Sequence, residues 1–207
     1  MMKALQVFVP TVTNMIRADH THVLATFHQY EIDTSPGTKR ALVNTICLAL
    51  EIHAQLEEEI FYPAMREVAR DAGVVGKSVP EHDEMRRLIG KLRSMEPTDA
   101  DYDQTVMELM RDVMHHVADE ETILLPDAER SLADRLEELG ATMTKRRLEL
   151  VAPKTFDIAW NTVRALPASN VLMGVGALAL VAMLLGGPRR RHRMPLARRL
   201  PIARRLA

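Results

Sequence analysis

Six residues of the kinds that hold metal ions recur at helical spacing in this chain: His20, His53, Glu57, His82, His116 and Glu120. His53 and Glu57 stand four apart, as do His116 and Glu120, and that spacing stacks two side chains on one helical face. Ile46, Leu50 and Ile60 share the stripe of His53 and Glu57, and Leu109, Val113 and Leu124 share that of His116 and Glu120. Ile16, Val23, Leu24 and Phe27 flank His20; Val79, Met85 and Ile89 flank His82. The stripes therefore aim all six at an apolar interior. Two carboxylates and four imidazoles are costly to bury unless they pair or coordinate a cation. One dication or a pair removes that cost. Imidazole with carboxylate suits iron, manganese or zinc, and the lack of thiolate argues against copper(I) and iron–sulfur clusters. The plainer reading, core histidines each satisfied by a glutamate, leaves the matched spacing without a reason.

An internal repeat sharpens the pattern. Residues 53–63 (HAQLEEEIFYP) align without gaps on residues 116–126 (HVADEETILLP), both reading H-x-x-x-E-E-x-I-x-x-P. The preceding histidines keep nearly the same offset, 33 positions from His20 to His53 and 34 from His82 to His116. Two helical hairpins, each contributing one His and one H-x-x-x-E, would face each other across a pseudo-twofold axis. Each metal would then take two imidazoles, with Glu57 and Glu120 bridging. His115 is a competing ligand in the fourth helix, five residues before Glu120; the repeat and the apolar stripe both select His116. His22 and His28 lie off or at the edge of their stripe and read as surface or supporting residues. Cys47 reads as a small packed residue.

The elements that must position these groups follow from periodicity. Apolar stripes predict a helix from about Thr11 that ends in the turn Thr34-Ser35-Pro36-Gly37, and a second that fades before a loop at Gly73 to Gly76. A third runs from about Ser78 to Met95, with Ser78 and Glu81 as a capping box. A fourth follows the break at Pro97-Thr98-Asp99. Scarce aromatics, at 4%, and low glycine support an all-α chain. The expected fold is an up-down four-helix bundle over residues 1–130 with a di-metal core. Residues 131–166 read as a helical stalk or surface helix with charge on most faces.

The arrangement resembles the hemerythrin-like (HHE cation-binding) family over roughly Ile16 to Pro126, through the duplicated H-x-x-x-E-E with its trailing proline and the offset His20 and His82. The resemblance implies a non-haem di-iron centre, with His20, His53, His82 and His116 as terminal ligands and Glu57 and Glu120 as bridges. It also implies chemistry with O₂, NO or peroxide, or exchange of iron. Oxygen-carrying members place a further histidine one turn after the third-helix ligand, where this chain has Arg86. Fewer protein ligands leave more open coordination, which favours redox reaction over reversible O₂ carriage. A storage or donor protein without turnover, and a metal-free structural anchor, are the competing function classes. Manganese and zinc fit the ligand types and rank behind iron through the resemblance.

Charge divides the chain. Residues 188–207 carry eight Arg and no acid, whereas residues 1–187 carry 19 basic and 28 acidic residues, a net of −9. Between Arg164 and Arg189 no charge occurs, and residues 167–187 predict a membrane or membrane-associated helix. The Arg-rich tail fits anionic lipid better than nucleic acid, because it lacks interleaved aromatics and carries Pro195 and Pro201. The first ten residues are too interrupted for a secretory signal. The expectation is a membrane-associated chain with its bundle on the cytoplasmic side.

Overall fold

The computed structural model describes residues 10–68 and 72–165 of the chain. Thr11 opens α1 (Val12–Phe27) by accepting the Asn14 N–H on its hydroxyl. Ser35 does the same for α2 (Pro36–Leu56), taking the Thr38 N–H at 3.2 Å, with Pro36 at the first helical position. The expected Pro-Gly turn is therefore the first turn of a helix: proline's fixed φ suits that position, and its missing N–H would find no partner there anyway. After a π-helical turn, Glu57–Phe61, the chain continues as α3 (Tyr62–Val68). Next come α4 (Ala72–Ser94) and α5 (Tyr102–Asp119), then a second π turn, Glu120–Leu124, leading into α6 (Leu125–Ser131). Two further helices follow, α7 (Leu136–Val151) and α8 (Thr155–Ala165), joined by a 3₁₀ turn at Ala152–Lys154.

Two expectations about the third helix are corrected. Gly73 to Gly76 is not a loop but lies within α4, and Pro80 sits inside that helix. Ser78 and Glu81 do not form a capping box. Ser78 is buried and hydrogen-bonded to Tyr62, and the Glu81 carboxylate lies 2.8 Å from His116 Nδ1. Both polar groups are held by tertiary partners, which a local motif cannot foresee.

The helices α1, α2, α4 and α5 form the bundle, each packing on its neighbours in that cyclic order. Its interior is divided. One apolar cluster gathers Val12, Ile16, Leu56, Phe61, Met65, Val75, Leu125 and Leu132 at one end. Another gathers Val23, Phe27, Leu42, Ile46, Leu50, Met85, Leu88, Val106, Leu109 and Val113 at the other. On α1, α4 and α5 the histidine falls between the buried residues of the two clusters, and on α2 His53 lies between Leu50 of one and Leu56 of the other, so the polar groups form a layer closed above and below by hydrocarbon.

The expected stalk lies against the bundle. Leu139 and Met143 of α7 are buried in the first cluster, and α8 packs along α2. Gly140 permits the closest approach: a Cβ there would stand 2.0 Å from the Pro10 carbonyl oxygen. Among the described residues no helix is long and apolar enough to cross a membrane. The expected membrane helix at 167–187 and the Arg-rich tail lie outside the described residues.

These packing relations separate two substitutions of one chemical kind. Gly140→Ala forces α7 away from Pro10 and is expected to cost about 1–3 kcal/mol. Gly90→Ala, in α4 with nothing within 4 Å of the added carbon, is expected to stabilise by about 0.5–1 kcal/mol. Thermal unfolding followed by circular dichroism should move in opposite directions for the two variants; equal shifts would contradict the close approach at Gly140.

Candidate metal centre

Local backbone chemistry sets the two acidic positions. The Tyr62 N–H bonds the Glu57 carbonyl five residues back, and the Leu125 N–H bonds that of Glu120 in the same way. Pro63 and Pro126 follow at once. A proline offers no N–H and its ring crowds the carbonyl one α-turn back; widening to a π turn relieves that crowding. The sequence pattern reads as unbroken α-helix here, so the π turns are a departure from expectation. They occur at equivalent places in both repeats, and each starts at the inward glutamate.

All six candidate residues come together, and all are nearly inaccessible: Glu57 is 0% exposed, and His20, the most distant from the repeat, only 3%. His20 Nε2 lies 3.3 Å from Glu120 Oε2, and His53 Nε2 lies 3.2 Å from Glu57 Oε2. His82 Nε2 is 3.4 Å from Glu57 Oε2, and His116 Nε2 is 3.6 Å from Glu120 Oε2. The Nε2 atoms of His82 and His116 approach to 3.2 Å. Two sets of four ligand atoms result, each within 4.8 Å of one another: one from His53, Glu57, His82 and His116, the other from His20, His53, Glu57 and Glu120. His115, His22 and His28 are exposed.

The outward nitrogen of each imidazole faces a carboxylate. His20 Nδ1 is 2.9 Å from Glu121, His82 Nδ1 2.8 Å from Glu58, and His116 Nδ1 2.8 Å from Glu81. His53 Nδ1 stands 3.5 Å from Asp19. The four pairs form a closed cycle through the bundle, α1 to α2 to α4 to α5 and back to α1. Glu58 and Glu121 are the second glutamates of the two H-x-x-x-E-E repeats; Asp19 and Glu81 each precede a histidine of the cluster. Such partners fix the tautomer that leaves Nε2 free to ligate.

Sequence reasoning missed one member of the layer. Tyr62 is fully buried, with its hydroxyl 2.8 Å from Glu120 Oε1 and 3.0 Å from Glu57 Oε2, and its ring stacked on His82. In the second repeat Leu125 stands in its place; of the two aromatic-for-aliphatic mismatches between the repeats, Phe61 against Leu124 and Tyr62 against Leu125, the one that brings a hydroxyl inward was the available sign. The phenol has one proton to donate to two carboxylates, and Glu120 is the nearer acceptor.

Protons cannot satisfy this layer cheaply. Burial, together with the charge of Glu120, pushes Glu57 well above the usual carboxylate range. Glu120 is held down to about 2 because the surrounding imidazoles outweigh its burial. Burial pulls His53 down to about 4, while His20, which burial alone would lower, is raised to about 9 by Glu120 and Glu121. His20 Nε2, His53 Nε2, Glu57 Oε1 and Glu120 Oε2 are buried without a hydrogen bond among the described residues. Unpartnered polar atoms converging from α1, α2 and the two π turns are the arrangement a cation satisfies. Beside them a cavity of about 10 Å³ is lined by Val23, Leu50, Val113 and Val117, with Asp19, His20, His53 and His116.

Comparison with known proteins agrees with this geometry. A "DNA nickase" from Nostoc sp. is 28% identical over 134 residues, 65% of this chain and 38% of that protein. The chain thus spans less than half the length of that relative. The crystal structure of a hemerythrin HHE cation binding domain-containing protein from Mycobacterium kansasii superposes with a TM-score of 0.57 at 17% identity, covering 79% of this chain and 98% of that one, which shows a shared fold. The hemerythrin HHE cation binding domain itself matches residues 11–128, from the α1 cap into α6. The chain belongs to the hemerythrin HHE cation-binding family.

Proposed function

We propose that the protein holds two iron ions in the buried layer and uses them to bind, sense or redox-process a small ligand such as O₂, NO or peroxide. The observation that carries the reading is the convergence of unpartnered His and Glu atoms from two repeated hairpins. His20 and His53 would hold one ion, His82 and His116 the other, and Glu57 and Glu120 would bridge. When bound, the ions supply one-electron redox couples and open coordination positions. The chain's own residues do the rest. The outer carboxylates orient the imidazoles. The two apolar clusters exclude bulk water, which strengthens every charge interaction between them. Tyr62 holds a proton 2.8 Å from Glu120, on the side of the layer away from the cavity, and so acts on the centre through that carboxylate. Arg86, where oxygen carriers have a fifth imidazole, instead bonds Glu58 at 2.7 Å and leaves a ligand position open.

The cavity supports a small ligand. At about 10 Å³ it takes roughly one water-sized molecule. Its valine and leucine walls suit an apolar diatomic and have no room for a nucleic-acid phosphate. Association with anionic membrane through residues 167–207 remains part of the proposal, on the strength of their charge-free run and Arg-rich tail.

Iron reconstitution of the full chain should give about two irons per chain by mass spectrometry. His53→Ala or Glu120→Ala should reduce that number, and His115→Ala should leave it unchanged. A folded protein that takes up no iron would overturn the di-iron reading.

Tyr62→Phe should keep the metal but slow peroxide consumption or NO oxidation by about tenfold or more, through loss of one charge-assisted hydrogen bond. An unchanged rate would remove the phenol from the reaction.

For the C-terminal segment, the full chain should co-sediment with vesicles containing phosphatidylserine, and deletion of residues 167–207 should abolish this. Binding that survives the deletion would overturn the assignment.

A further inference from the structure

The cycle of outer carboxylates is not symmetric. Arg147 of α7 grips Asp19 with both terminal nitrogens at 2.5 Å. Arg86 bonds the same Glu58 oxygen that His82 uses. Arg17 bonds the second oxygen of Glu121 at 3.1 Å and also reaches Glu129. Glu81, behind His116, has no arginine or lysine partner among the described residues. Exposure does not separate the cases: the Glu81 side chain is 34% accessible and that of Glu121 31%.

A carboxylate on Nδ1–H draws that proton outward and makes Nε2 a stronger donor. A guanidinium on the same carboxylate takes up part of its charge and weakens the effect. His20 and His82 are damped in this way, and His53 Nδ1, 3.5 Å from an Asp19 that Arg147 holds, makes no hydrogen bond at all; His116 alone of the four keeps a close carboxylate without a guanidinium on it. We propose that Arg17, Arg86 and Arg147 are positioning residues that make the two metal positions inequivalent, the pair His82–His116 forming the electron-richer one. This rests on the di-iron reading. The higher oxidation state is then favoured at the His82–His116 position, and the His20–His53 position, beside the apolar cavity, is the softer of the two. Arg147 gives α7 a part in the centre, since a helix outside the bundle holds the partner of His53.

The test uses the full chain loaded with ⁵⁷Fe, its iron content measured first. Mössbauer spectra of the oxidised protein should show two quadrupole doublets of equal area. Glu81→Gln should bring the doublets together and lower iron affinity by about 10- to 100-fold. Arg86→Ala should move the His82–His116 doublet the opposite way without lowering affinity, and Arg86→Lys should restore it. Glu84→Gln, on the exposed face of α4, is the control. Two irons per chain with a single doublet, or with Glu81→Gln no different from Glu84→Gln, would overturn the inequality while leaving the di-iron reading intact. A helical protein without iron would overturn both.

Discussion

Placing six ionisable side chains in one layer of an apolar bundle sets a condition that the rest of the molecule has to meet. An isolated buried carboxylate or imidazolium is unstable by several kcal/mol, so each needs a partner held in place by something rigid. The bundle meets the condition in two shells. Inside, Nε2 and carboxylate oxygens face one another across 3.2 to 3.6 Å. Outside, the carboxylates of Asp19, Glu58, Glu81 and Glu121 orient the rings from the solvent side, where water and arginine lower the cost of their own charge. Taking away one member exposes its partner's full desolvation cost, so the layer stands or fails as a unit.

The apolar clusters matter for the same reason. Because hydrocarbon closes the layer at both ends, the groups within it meet few competing dipoles, and a cation bound there would interact with its ligands at low effective dielectric. The cavity wall of Val23, Leu50, Val113 and Val117 continues the hydrocarbon to the imidazoles themselves. A small uncharged molecule loses little on entering such a space; a hydrated ion loses its shell.

The two hairpins use one plan with deliberate-looking exceptions. Each has an acid before its first histidine, an H-x-x-x-E-E run, a π turn and a proline. Tyr62 against Leu125, and Glu81 without an arginine, are two differences between the halves that fall in the buried layer. Both lie in the His/Glu layer, beside His82 and His116 or between Glu57 and Glu120, so they bear on the groups that could hold a cation and not on the fold.

The helices and the inward residues were legible in the sequence, because burial imposes a period of 3.6 and a ligand pair on one helix has few allowed spacings. His53 with Glu57 and His116 with Glu120 needed only that rule and the repeat. Helix ends were less legible: Ser78 and Glu81 imitate a capping box but are consumed by Tyr62 and His116, partners that adjoin only after folding. The π turns escaped a reading based on α-helical period, although Pro63 and Pro126 mark where the ladder must change. What tertiary structure alone decided is the outer shell. Asp19, Glu58, Glu81, Glu121 and their arginines come from five helices and from residues up to 128 positions apart, as in Arg147 and Asp19. No periodicity encodes such pairs, because they depend on how rigid helices rotate against one another once their apolar stripes are packed.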